Sequence, residues 1–353
     1  MVSAVAPTSS APHRDAYQLA VDARDPRFDG VFFVGITTTH VYCRPACKSR
    51  LAYDRHRRFF NSAAAAERAG FRPCLRCRPE LAPGHPGGGQ LDAVSQLARV
   101  AAQRIAAGAL NGHSVADLAR ELGVSERHLR RSLEREISVS PHELAQTHRL
   151  LLAKRLIVDT DLPMTRIAYA SGFQSLRRFN AVFRAQYRMA PSALRRGRRM
   201  PVYVEGSLEL TLSYRPPLAW APLLRSLGVQ GSRYERSVQL EGHRGRVVVE
   251  NAPGGRHVSV EIADSLLPVL MPLIAGLRRV FDLDAEPALI GAHLAERGLA
   301  EQVARWPGVR VPGRLDGFAA PDAFPETDPQ LLARAEQWRP WRAYAAEYLR
   351  LSE

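Results

Sequence analysis

Cysteine is scarce in this chain, acidic residues are outnumbered, and no long apolar run occurs. Only 4 of 353 residues are Cys, too few for a disulfide-stapled scaffold of this length. The longest apolar stretch, Ser265 to Leu277, is broken by Pro268 and Pro272 and falls short of the about 20 residues a membrane helix needs. Met1 to Asp15 is polar and rich in Pro and Ser, without the apolar segment of a secretory signal. A cytoplasmic location with no membrane partner is therefore expected. Disulfides are disfavoured there.

The acid deficit is uneven. The chain has 49 Lys/Arg against 35 Asp/Glu, a net charge of +14. Residues 1–200 carry 32 basic against 16 acidic side chains, whereas residues 201–353 carry 17 against 19. The excess points to a polyanionic partner for the front of the chain and a different task behind it. At this length two or three compact units are expected.

All four cysteines, Cys43, Cys47, Cys74 and Cys77, fall in one C-x3-C-x26-C-x2-C pattern. Two short pairs can each present two thiolates to one ion, which suits a tetrahedral all-sulfur zinc site, with one Zn2+ per chain. A purely structural site is one reading of such a cluster. The surrounding residues are more particular: Val41-Tyr42-Cys43-Arg44-Pro45-Ala46-Cys47, then Gly70-Phe71-Arg72-Pro73-Cys74-Leu75-Arg76-Cys77, with Asp25-Pro26-Arg27-Phe28-Asp29-Gly30 and Phe59-Phe60. From about Asp22 to Pro79 this resembles the N-terminal domain of the Ada family of bacterial adaptive-response proteins. The resemblance implies irreversible methyl transfer from a DNA methylphosphotriester to Cys43, with Cys47, Cys74 and Cys77 as the other zinc ligands. It also implies that Thr39, Arg50 and Arg72 help hold the DNA backbone.

A Gly/Pro-rich linker follows at 81–90, and then a helical repeat. Ser114 to Ala119 starts with an N-cap serine, Glu121-Leu122-Gly123-Val124-Ser125 makes a turn, and Glu126 to Arg135 reads as a second helix. Leu129 and Leu133 lie on its inner face, leaving Arg127, His128, Arg130 and Arg131 to face outward. About fifty residues later Ile167-Ala168, Gly172-Phe173 and Phe179 with Phe183 repeat the pattern, with one extra residue in or after the turn. Gln174, Arg177 and Arg178 are the matching outward candidates, and Leu144 to Ile157 reads as a connecting helix. Two such units can enter successive major-groove segments. The stretch resembles the AraC/XylS-type DNA-binding domain. Arg195, Arg196, Arg198 and Arg199 read as a basic tail that contacts phosphate or lies in solvent.

Behind Pro201, Leu208-x-Leu210-x-Leu212 and Val258-x-Val260-x-Ile262 alternate as strands do, Val238 to Leu240 and Arg246 to Glu250 also read as strands, and Ser265 to Val280 reads as a helix. Tyr214-Arg215-Pro216-Pro217, Arg233-Tyr234-x-Arg236 and Gly308 to Gly313 resemble the N-terminal domain of the AlkA family of 3-methyladenine DNA glycosylases. Such enzymes continue into a helix-hairpin-helix domain after the position of Phe318. Here the sequence passes at once to a strip ending in Asp328, which matches the glycosylases' catalytic Asp, and then to Trp338-Arg339-Pro340-Trp341, which resembles their closing helix.

The expected fold is multidomain α+β: a small zinc-bound α/β module at 12–80, an all-α double helix-turn-helix domain at 91–198, and an AlkA N-terminal-like α+β domain at 201–318 lacking most of the helix-hairpin-helix domain. Residues 319–353 would be its remnant. The expected function is a DNA alkylation sensor and transcriptional activator of repair genes, acting on double-stranded DNA and RNA polymerase. Two alternatives stay open: a bifunctional regulator and glycosylase using Asp328, although loss of that activity is expected, and a transcription factor whose zinc is only structural.

Overall fold

The computed structural model describes residues 11–83, 96–195, 206–251, 255–315 and 329–352. The chain divides into two compact units. The first takes Met1–Ala82, Leu91–Glu205 and Leu267–Pro272, and the second Pro83–Gln90, Gly206–Leu266 and Leu273–Glu353.

The first unit opens with α1 (Ala11–Asp22), followed by β1 (Phe33–Ile36), β2 (Val41–Cys43), β3 (Arg57–Phe60), α2 (Ala63–Arg68) and β4 (Arg72–Pro73). The strands form a sheet in the order β3-β1-β2-β4, antiparallel except for the parallel β2–β4 pair. Gly35 sits where a Cβ would stand 2.7 Å from the Phe60 ring and 2.9 Å from that of Phe71. A larger residue in mid-strand would displace both rings.

The helices α3 (Gln96–Ala106), α4 (Val115–Glu121), α5 (Glu126–Ile137), α6 (Pro141–Asp159), α7 (Met164–Ala170), α8 (Leu176–Tyr187) and α9 (Pro191–Arg195) follow. Serine starts them. Ser114 with Asp117 and Ser140 with Glu143 form capping boxes, and Ser125 and Ser175 cap α5 and α8; each cap satisfies a backbone N–H that the first turn leaves without a partner. The turns run through 122–125 in the first copy and 171–175 in the second, which places the extra residue inside the second turn. Both second helices end on a left-handed residue, Ser138 (φ 62) and Arg188 (φ 57). Helix α6 is longer than its expected 144–157 because Ser140-Pro141 supplies a start signal ahead of the apolar stripe.

One hydrophobic cluster spans the sheet and the helices. Phe33, Tyr42, Phe60 and Phe71 share it with Ala98, Leu118, Leu129, Leu133 and Leu144. Zinc module and helical layer therefore have a common core.

The second unit contains β5 (Ser207–Ser213), α10 (Trp220–Ser226), β6 (Arg233–Leu240), β7 (His243–Asn251), β8 (His257–Ala263), α11 (Leu270–Val280), α12 (Pro287–Leu294), α13 (Ala300–Arg305), α14 (Pro329–Ala335) and α15 (Arg342–Arg350). Its sheet is fully antiparallel, ordered β5-β8-β7-β6. The inward alternation of Leu208, Leu210 and Leu212 against Val258, Val260 and Ile262 holds throughout. Two expectations shift. Strand β6 starts at Arg233 rather than Val238, since charged residues at its exposed positions mask the alternation. The helix expected from Ser265 begins at Leu270, preceded by a 3-10 segment, Asp264–Val269, that contains Pro268, a residue that cannot donate an α-helical hydrogen bond. A further cluster joins Ile290, Leu294, Leu299 and Val309 to Trp338, Trp341, Tyr344 and Tyr348. Among the described residues no helix is long and apolar enough to cross a membrane.

Candidate metal centre and DNA-binding elements

The sheet brings the two cysteine pairs together. Cys43 ends β2, opposite Val34, and Cys74 follows β4, its N–H bonded to the Tyr42 carbonyl at 2.9 Å. Cys47 closes a turn on the Arg44 carbonyl at 3.1 Å. The four Sγ atoms lie within 4.8 Å of one another, and all four residues are buried. Sulfurs around a tetrahedral zinc at its usual bond length stand about 3.8 Å apart. The set contains no carboxylate or imidazole; four soft donors in that space suit zinc.

Hydrogen bonds distinguish the sulfurs. The Arg44 N–H donates to Cys77 Sγ at 3.5 Å and the Arg76 N–H to Cys74 Sγ at 3.4 Å. Among the described residues no backbone or non-cysteine donor reaches Cys43. Hydrogen bonding among the sulfurs, together with burial, pushes the Cys43 thiol up. Cys47 is pulled down, chiefly by its bond with Cys43. The same partner draws Cys74 down to about 6. Cys77 rises: its bond with Cys43 pulls it down, but those with Cys47 and Cys74 and burial outweigh this.

Thr39 is exposed in the β1–β2 turn, and Arg72 lies half-buried on β4, its N–H bonded to the His40 carbonyl at 2.8 Å. The fold thus sets Arg72 against the residue that follows Thr39. Arg50 is exposed in the segment after Cys47.

On the helical layer, Leu129 and Leu133 of α5 and Phe179 and Phe183 of α8 are fully buried, which turns the opposite faces outward. Arg127, His128 and Arg131 are exposed on α5, Gln174 is exposed in the turn before α8, and Arg177 and Arg178 are exposed at its start. Arg130 carries an ion pair. It is half-buried and its guanidinium is bound to Glu126 at 2.5 and 2.8 Å, an i,i+4 pair that competes with any outward contact.

Three family descriptions match the chain in succession: "Metal binding domain of Ada" over residues 16–80, "Helix-turn-helix domain" over 118–197, and "AlkA N-terminal domain" over 209–316. The front of the chain is an Ada metal-binding domain. A helix-turn-helix domain and an AlkA N-terminal domain follow it, and the four cysteines form its zinc site. The chain is 36% identical over 313 residues to the probable bifunctional transcriptional activator/DNA repair enzyme AlkA of Mycobacterium tuberculosis, covering 84% of this chain and 62% of that protein. It therefore spans about three fifths of the relative. To the bifunctional transcriptional activator/DNA repair enzyme Ada of Escherichia coli it is 34% identical over 137 residues, which is 39% of this chain and 36% of that one. A solved structure of a methylated N-Ada/DNA complex is 32% identical, with 38% of this chain and 96% of that chain covered and a TM-score of 0.19.

Asp328 lies outside the described residues, as do Arg196, Arg198, Arg199 and most of the 81–90 linker. Other residues of the Ada domain escaped sequence reasoning. Asp29, almost wholly buried, accepts from the Ala46 N–H at 3.2 Å and pairs with Arg44 at 3.0 Å, bracing the loop between the first two ligands. Its motif was visible, but its role is not. Glu67 accepts hydrogen bonds from the Tyr42 hydroxyl at 3.0 Å and the Thr147 hydroxyl at 2.6 Å, joining α2 to α6. No local pattern marks it.

Proposed function

We propose that the chain is a sensor of DNA alkylation that repairs methylphosphotriesters and activates transcription. The observation that carries this reading is the buried four-sulfur centre, set in one compact unit with two helix-turn-helix copies; among the described residues Cys74 and Cys77 accept backbone N–H bonds and Cys43 accepts none. A thiolate that accepts an N–H bond shares its charge and attacks less readily, which sets Cys74 and Cys77 aside; the likeness to the Ada domain points to Cys43 as the nucleophile and leaves Cys47, Cys74 and Cys77 as holding ligands. Bound zinc keeps the cysteines ionised at neutral pH.

Cys43 Sγ attacks the methyl carbon of the triester. The C–S bond forms as the C–O bond breaks, and the electron pair stays on the phosphate oxygen, leaving an ordinary diester. The thioether is not released, so each chain turns over once. Alkylation removes one negative charge from a centre that four thiolates and a dication leave at a net −2, so repulsion from the DNA polyanion falls and affinity rises. Thr39, Arg50 and Arg72 hold the backbone near the centre, while Arg127, His128, Arg131, Gln174, Arg177 and Arg178 reach the groove and its phosphates. Arg130 supports α5 through Glu126. The promoter-bound chain works with RNA polymerase in the cytoplasm. Glycosylase activity is absent in this reading, because little sequence separates the AlkA N-terminal domain from Trp338, and a lone Asp328 cannot extrude and hold a base.

Mass spectrometry of zinc-loaded protein after exposure to methylphosphotriester DNA is expected to find a single methyl group, on Cys43. An unmodified Cys43 with the methyl still on the DNA sinks the reading. Base release from alkylated DNA that disappears in Asp328→Asn would restore the glycosylase alternative.

A further inference from the structure

The third ligand turn is gripped from outside the Ada domain. Lys154, in the middle of α6, is 1% exposed. Its Nζ donates to the Cys74 carbonyl at 3.0 Å and is ion-paired with Glu80 Oε2. Glu80, three residues past the last ligand, has a side chain only 2% exposed and takes the Arg78 guanidinium on its other oxygen at 3.0 Å. Arg78 in turn grips Asp159 at the end of α6 through two 2.7 Å bonds. The Cys74–Cys77 turn is thus clamped at its first ligand and just past its last, both times by α6.

Burying an ammonium group is costly, and an apolar side chain would fill the same space with less penalty. Lys154 and Glu80 cancel in charge, so their pair does little to the field at the sulfurs. What remains particular to Lys154 is the donor aimed at the carbonyl of a ligand residue. We propose that Lys154 is a positioning residue for the zinc centre, supplied by the helix-turn-helix domain to hold the Cys74–Cys77 turn. Residues that hold metal ligands in place commonly account for about ten- to hundredfold in metal affinity or activity. The proposal deepens the reading above and rests on it for the methyl-transfer step.

The test uses the full zinc-loaded chain and compares the parent with Lys154→Met and with Lys154→Met/Glu80→Gln, which leaves no charge of the pair behind. Zinc release to a chelator, the charge-transfer absorption of the cobalt-substituted protein, thermal midpoint and methyl uptake at Cys43 are read in each. The expected result is a double variant that melts close to the parent yet releases zinc about ten- to hundredfold faster, with an altered cobalt spectrum and slower methyl uptake. A double variant that matches the parent in zinc release and cobalt spectrum overturns the assignment, since Lys154 then only fills space. Should the variants fail to fold, native-state hydrogen exchange of the zinc-loaded parent decides: amides of α6 around residues 151–158 are expected to open together with those of the Cys74–Cys77 turn, and a turn that opens while α6 stays protected overturns the proposal. A parent that takes up no methyl while the zinc-release difference persists refutes the sensor reading and leaves the positioning role standing.

Discussion

All four cysteines lie in the first unit, between residues 43 and 77, and all four tryptophans, Trp220, Trp306, Trp338 and Trp341, lie in the second. The contrast follows from strand length. The first sheet is built from strands of 2 to 4 residues, too short to bury a core between themselves, so a metal and a neighbouring helical layer complete it. The second sheet has strands of 7 to 9 residues, whose alternation covers one face with aliphatic side chains unaided. A small sheet has to borrow stability; a long one generates its own.

The largest effect should come from removing the metal. Chelation is expected to cost the first unit about 10 kcal/mol, the scale of structural zinc at neutral pH, lowering helical circular dichroism while tryptophan emission stays in place. An emission shift in step with helix loss would break the comparison. Next come core truncations. Phe183→Ala and Trp338→Ala should each cost about 3–5 kcal/mol, the former seen in the helical signal and the latter in the emission of the remaining tryptophans; either change appearing in both probes would blur the division.

Each unit also carries a carboxyl lifted mainly by burial. Glu67 is raised to about 7, against the pull of its Thr147 and Tyr42 hydrogen bonds, and Asp282, bonded to Tyr344 at 2.7 Å and to the Val311 N–H at 3.2 Å, is raised to about 6. A raised acid keeps its proton in the folded state after the unfolded chain has lost it, so stability falls as pH rises through the interval. Denaturant titrations should show that fall between pH 4.5 and about 7 for the first unit and between 3.8 and about 6 for the second. Glu67→Gln and Asp282→Asn should flatten their own curves and leave the other unit's unchanged.

The smallest effects belong to the DNA-facing arginines. Arg177→Ala should weaken operator binding by about 1–3 kcal/mol if it reads a base, or reduce the salt dependence if it holds phosphate. Arg130→Ala should change binding far less, because Glu126 already occupies its guanidinium. Equal losses at the two positions, measured by salt-dependent titration, would restore Arg130 to the DNA face.

Residue identity announced the chemistry of the centre well before its surroundings. Cys43, Cys47, Cys74 and Cys77 were legible because ligand spacing is local, and the two helix-turn-helix copies because Leu129, Leu133, Phe179 and Phe183 repeat at helical period. Lys154, Glu80, Glu67 and Asp29 were not, since each matters through a partner far along the chain or across a turn, as with Lys154 and Cys74, 80 positions apart. Periodicity placed Arg130 on its face of α5 and could not say that Glu126 pairs with it there. Exposed charges hid the first part of β6, where Tyr234 is the one buried residue ahead of Val238.

The span between Cys74 and Lys154 also has a meaning for the newborn protein. At roughly 5–20 residues per second of synthesis, the last ligand turn emerges about 4–16 s before the lysine that clasps it. During that interval the thiols stand on an unfinished scaffold, exposed to oxidants and to competing metals. Maturation of the centre is thus timed by translation of the downstream helices, and a pause between the two segments would lengthen the period of greatest vulnerability.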